Sequence, residues 1–105
     1  MEDPARLFIA VRADLPPAIA GVQACHAVAK AVSGRHLPDN THFVLVQVPS
    51  KEELLSLAKK LYDDGSEFEL FFEPDYDLGE TALATPPGDR KKGKRFSKYP
   101  LWKGV

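Results

Sequence analysis

At 105 residues the chain is long enough for one hydrophobic core and too short for two. An apolar content of 44% beside 28% charged residues excludes wholesale disorder, and a single cysteine excludes an internal disulfide framework. The net charge of −1 hides a split: positions 89–105 hold seven Lys or Arg against Asp89 alone (+6), leaving seven basic and 14 acidic residues in 1–88 (−7).

No apolar run reaches the ~20 residues of a spanning helix, and the acidic start Met1-Glu2-Asp3 is unlike a signal peptide. A cytoplasmic address with no membrane partner is therefore expected, which a lone thiol also fits. The basic tail is expected to meet phosphate, to fold back on the acidic body or to stay solvated.

In chain order, Leu7-Phe8-Ile9-Ala10-Val11 reads as a strand buried on both faces. Pro16-Pro17 ends it and opens a helix over 18–33, with Ile19, Val22, His26, Ala29 and Val32 or Ser33 at helical spacing and Gly34 as its stop. Residues 41–48 are the clearest strand, rich in Phe43, Val44, Leu45, Val46 and Val48. Ser50 and Glu53 form a capping box for a second helix, which carries Leu54, Leu57, Ala58 and Leu61 and ends at Asp63-Asp64-Gly65. Residues 68–73 read as a third strand, 74–80 as a loop with acids Asp75, Asp77 and Glu80, and 81–85 as a fourth strand.

The expected architecture is α/β: a mixed four-stranded sheet in the order β-α-β-α-β-β, with helices packed on it. The first two strands should pair in parallel through a right-handed crossover. A ferredoxin-like arrangement is the alternative. Residues 1–88 are expected to form the domain and 89–105 a basic and aromatic tail.

No phosphate-binding loop, nucleophile elbow or paired Cys/His metal spacing is present, so no metal or cofactor is proposed. Cys25 and His26 are neighbours on a helix and point about 100° apart, so they are no nucleophile pair; a buried structural Cys25 is expected. Gln23 and His26, at i and i+3, share a helix face. They either point into a cleft or satisfy buried carbonyls.

The segments Val11-Arg12-Ala13-Asp14-Leu15 and Val22-Gln23-Ala24-Cys25-His26-Ala27 resemble the type-2 peptidyl-tRNA hydrolases. The resemblance continues through Phe43-Val44-Leu45-Val46-Gln47-Val48, the Glu73-Pro74-Asp75 loop and Thr81-Ala82-Leu83-Ala84-Thr85-Pro86-Pro87-Gly88, and covers about residues 6–88. It implies hydrolysis of the ester linking a peptide to the 3′-terminal ribose of tRNA; for the chain itself a monomer or a homodimer is expected. Carried over position by position, it implies catalytic roles for Gln23, His26, Asp75 and Thr81, and substrate contacts for Arg12 and Asp14.

Ester hydrolysis needs a positioned water, a base for its proton and donors for the developing oxyanion. On that reading Asp75 orients or deprotonates water, with Asp77 the alternative and a plain turn residue the other reading of Asp75. Thr81 and Gln23 donate hydrogen bonds, and His26 sets their geometry. One departure matters: the family's usual lysine on the lip of the site is Ile19 here. A catalytically silent member that binds RNA or a protein partner is the competing expectation. Outside the matched region, Lys91, Lys92, Lys94 and Arg95, interleaved with Phe96, Tyr99 and Trp102, are expected either to bind RNA or to dock on the body.

Overall fold

A computed structural model describes residues 3–104 of the chain. Strand β1 (Arg6–Arg12) leads through helix α1 (Pro17–Val32) to β2 (His42–Val48). Helix α2 (Lys51–Asp63) leads on to β3 (Glu69–Glu73), and a 3-10 turn (Asp75–Asp77) leads to β4 (Gly79–Ala84). The sheet order is β2-β1-β4-β3. β1 and β2 are parallel, and β4 is antiparallel to both of its neighbours.

β1 is a central strand, and its near-continuous apolar run follows from burial on both faces. Leu7, Ile9 and Val11 pack under α1 with Ala82 and Ala84, while Phe8 and Ala10 pack under α2 with Val46, Val48 and Leu83. The helices therefore lie on opposite faces. That arrangement, with adjacent parallel strands, is a layered α/β sheet and not the ferredoxin-like alternative.

The two helices bury their faces for different reasons. In α2, Leu54, Leu57, Ala58 and Leu61 face the sheet as their spacing predicts, and the Ser50 hydroxyl caps the helix by accepting from the Glu53 N–H at 3.1 Å. In α1 the buried residues are Ala20, Gln23, Ala24, Ala27 and Ala31. The face expected from Val22, His26 and Ala29 is exposed, and Val22 is 53% accessible. Alanines bring the helix close to the strands, so the small-residue face packs, with Ile19, Val28 and Val32 at its margins and Val22 turned outward. Cys25 rides on that outer face and is exposed, correcting the expectation of a buried thiol.

The tail is not separate from the body. A 3-10 turn (Arg90–Gly93) is followed by Phe96, which is 1% exposed and belongs to the α2-side core. Gly93 is what lets the chain in: a Cβ there would stand 2.3 Å from the Phe8 ring. Further on, the Gln47 N–H donates to the Pro100 carbonyl and the Trp102 N–H to the Leu45 carbonyl, both at 2.9 Å. Leu101 thus bridges Val46 along the outer edge of β2, and Trp102 packs on the α1-side core. A boundary at residue 88 is accordingly no packing boundary.

Among the described residues, no helix is long and apolar enough to cross a membrane.

Candidate functional site

The carboxyl ends of β1, β2 and β3 and the amino ends of α1 and α2 share one end of the sheet. β4 starts there and runs back, pairing Ala82 with Val11 and Ala84 with Ile9. Open α/β sheets bind ligands outside such strand ends.

At this end two distant segments meet. Thr81 is fully buried and Gln23 is 3% exposed. The Thr81 hydroxyl and Gln23 Oε1 are 2.6 Å apart, and Gln23 Nε2 lies 2.9 Å from Glu73 Oε1. The direction of this relay is set by chemistry. An ionised carboxylate only accepts, so the Gln23 amide must donate to Glu73, which leaves its carbonyl oxygen to accept from Thr81. The other Glu73 oxygen accepts weakly from the Asp75 N–H at 3.4 Å.

The geometry revises two roles. The Thr81 proton is committed to Gln23, so Thr81 orients the amide and is no oxyanion donor. Among the described residues the second Nε2 proton of Gln23 has no acceptor. Glu73, which in the sequence is only the last residue of a strand, is the carboxylate this relay holds. Its signal is a slight one: Glu73 lies immediately before Pro74, where the chain leaves the sheet.

α1 runs against β3 with matched spacing. Gln23 meets Glu73, the His26 ring stacks on Phe71 (centroids 4.7 Å apart, planes 6° apart), and Lys30 Nζ lies 3.7 Å from Glu69. His26 is exposed, and its contact is this stack rather than a bond to Gln23 or Thr81.

Asp75 is exposed and opens the turn after Pro74; its carbonyl accepts from the Leu78 N–H at 3.2 Å. The turn is strained, because Tyr76 and Asp77 both have φ of 56°. Left-handed backbone costs a non-glycine residue roughly 1–2 kcal/mol. Tyr76, in the middle of this turn, is 88% exposed. No sequence pattern marks Tyr76, since left-handed conformation is not encoded by its residue type.

Arg12 and Asp14 act as a brace. Arg12 Nε and Nη2 donate to the two Asp14 oxygens at 3.0 and 2.8 Å, and Nη1 donates to the Leu78 and Glu80 carbonyls at 2.7 and 3.1 Å. The hydrogen bond to Asp14 raises the guanidinium pKa and, reciprocally, holds the Asp14 carboxyl below its usual range. With four of its five N–H groups used, Arg12 ties the end of β1 to the β3–β4 turn and has little left for a substrate. Ile19 packs partly buried against the α1-side core instead of standing on an open lip.

The basic tail residues lie elsewhere. Gly88 bridges Arg6, so Arg90, Lys91 and Lys92 emerge at the start of β1, about 20 Å from its Arg12 end at the usual strand rise. Arg95 is bound to Asp64 through two bonds of 2.8 Å and is not free for phosphate. Lys91, Lys92 and Lys94 form no ion pair among the described residues, but none is at the Gln23–Thr81 end.

Among the described residues no three His, Cys, Asp or Glu side chains gather to hold a metal ion. No protein-family model matches the chain, and no curated protein matches it either.

Proposed function

We propose that the chain hydrolyses the ester of peptidyl-tRNA at the end of the sheet bearing Gln23, Thr81 and Glu73. The observation that carries the reading is the Thr81–Gln23–Glu73 relay. It joins the helix and strand segments of the type-2 peptidyl-tRNA hydrolase resemblance, 58 residues apart, in a bond of 2.6 Å.

A water between the Glu73 and Asp75 carboxylates gives up a proton to one of them as its oxygen attacks the ester carbonyl. The second Gln23 Nε2 proton donates to the oxyanion that forms. Collapse breaks the bond to the ribose 3′-oxygen, which takes the proton back from the carboxylate. Tyr76 offers an exposed ring on which the terminal base stacks.

The test is single-turnover hydrolysis of an N-acetylated aminoacyl-tRNA by the wild-type chain, by Glu73→Gln and by Asp75→Asn. Loss of about 10²–10⁴-fold in one variant is the size expected of a general base. Full activity in both overturns the site.

Ile19 supports the second reading, a silent relative that binds RNA. The family's lysine is absent, and the residue in its place is packed against the core. Tight tRNA binding without turnover by the wild-type chain favours this reading.

A further inference from the structure

The face of the sheet covered by α2 holds a second concavity, away from the Gln23–Thr81 end. It is a cleft of about 360 Å³ between the start of β1 and the returning tail. Its walls are apolar, formed by Val44, Val46, Phe96, Tyr99 and Leu101, and two arginines, Arg6 and Arg90, stand at one end. Among the described residues the Arg6 Nε–H is buried with no hydrogen-bond partner, and neither arginine pairs with a carboxylate.

Two guanidinium charges with no carboxylate beside them leave the end of the cleft electropositive, and an anionic ligand supplies the missing partner. Planar guanidinium groups match phosphate oxygens bidentately. The volume is at the small end of ligand sites, enough for one ring system with one anionic group. Leu101 is 64% exposed at the rim and leaves a flat ring a way in.

We propose that this cleft binds a nucleotide, with its phosphate on Arg6 and Arg90 and its base against Val44, Tyr99 and Leu101. A free nucleotide and one nucleotide of an RNA strand carry the same chemistry, and an oligomer distinguishes them. The inference stands independently of ester hydrolysis, because it uses none of the same residues.

The test is amide chemical-shift titration of the full chain with AMP, adenosine, inorganic phosphate and a short oligoadenylate. AMP should shift the amides of residues 6, 44–46, 97–99 and 101 and bind at least tenfold more tightly than adenosine or phosphate alone. Arg6→Met, which keeps the side chain's apolar stem, should weaken AMP at least tenfold. Leu101→Ala should weaken AMP while leaving phosphate unchanged. Stronger binding of the oligomer assigns the site to an RNA strand, and equal binding assigns it to a free nucleotide. AMP binding unchanged in Arg6→Met, or shifts confined to residues 90–94, overturns the proposal. Hydrolytic activity has no part in this readout, so failure here and failure of the ester reaction are separable.

Discussion

The Phe96 ring stacks on that of Phe8, with centroids 5.4 Å apart and planes 27° from parallel, so a residue of the basic tail completes the core beneath α2. Phe96→Ala should therefore cost about 3–5 kcal/mol, as for other buried aromatic truncations. Gly93→Ala should also destabilise, by about 1–3 kcal/mol, because the added methyl meets a ring that is itself packed. Urea unfolding midpoints check both. A Phe96→Ala midpoint equal to wild type would mean that the tail is dispensable for folding.

Thr81→Val removes the proton that orients Gln23 while keeping the buried volume nearly constant. It leaves Gln23 Oε1 without a donor, at a cost of about 1–3 kcal/mol. On the proposed reaction the maximal rate of ester hydrolysis should fall while tRNA affinity stays constant. A rise in KM alone would place Thr81 in substrate binding.

The Arg12–Asp14 brace gives stability an acid limit. The Asp14 pKa is depressed in the folded chain by the hydrogen bond from Arg12, against about 3.9 unfolded. Its contribution is therefore fully present above about pH 4 and fades as pH falls through the folded value. The pair is part-exposed, so the contribution is below about 1 kcal/mol. Asp14→Asn should flatten the loss of unfolding free energy measured from pH 5 down to pH 2, and leave the alkaline side unchanged.

Ile19→Lys tests the departure from the family pattern. Ile19 precedes Gln23 by one helical turn, so an amine there lies on the same side of α1. If the missing cation limits the reaction, hydrolysis should rise by roughly tenfold to a hundredfold, the worth of one charge-assisted hydrogen bond. Asp75→Asn in that background should abolish the gain. Because Ile19 touches the core, the variant should also unfold at lower urea. Brisk hydrolysis by the wild-type chain would show that no cation is missing.

Replacing Lys91, Lys92 and Lys94 together by alanine should reduce tRNA affinity without unfolding the chain, since none of the three is ion-paired among the described residues. For every phosphate that a lysine no longer neutralises, the slope of log affinity against log salt should flatten by about 0.7–0.9. An unchanged slope would remove these lysines from RNA binding.

Parts of this structure are legible in the sequence, and the rest is concealed for physical reasons. β2 and α2 are readable because strong periodicity and a capping serine agree locally. β4 begins at Gly79, two residues before the apolar run, because Gly79 and Glu80 are held by pairing with Glu73 and Phe72. The facing of α1 differs from its expected one because a helix of Ala, Gly and Val carries little contrast between its sides. Gln23 and Thr81 stand out as polar residues in apolar elements. Their partner Glu73 does not, because a glutamate ending a strand looks like any solvated acid until the fold brings α1 over it.

Trp102 and its neighbours have a further consequence for assembly. With residues 100–102 laid along β2, the central backbone groups on that flank of the sheet are already occupied. Among the described residues the other edge strand, β3, has an unpaired flank, five residues long and bounded by Glu69 and Glu73. A sheet with one docking flank joins one twin across a two-fold axis and then has nothing left to extend. Removing the tail would return these backbone groups of β2 to solvent and leave the sheet with a second flank open to strand addition.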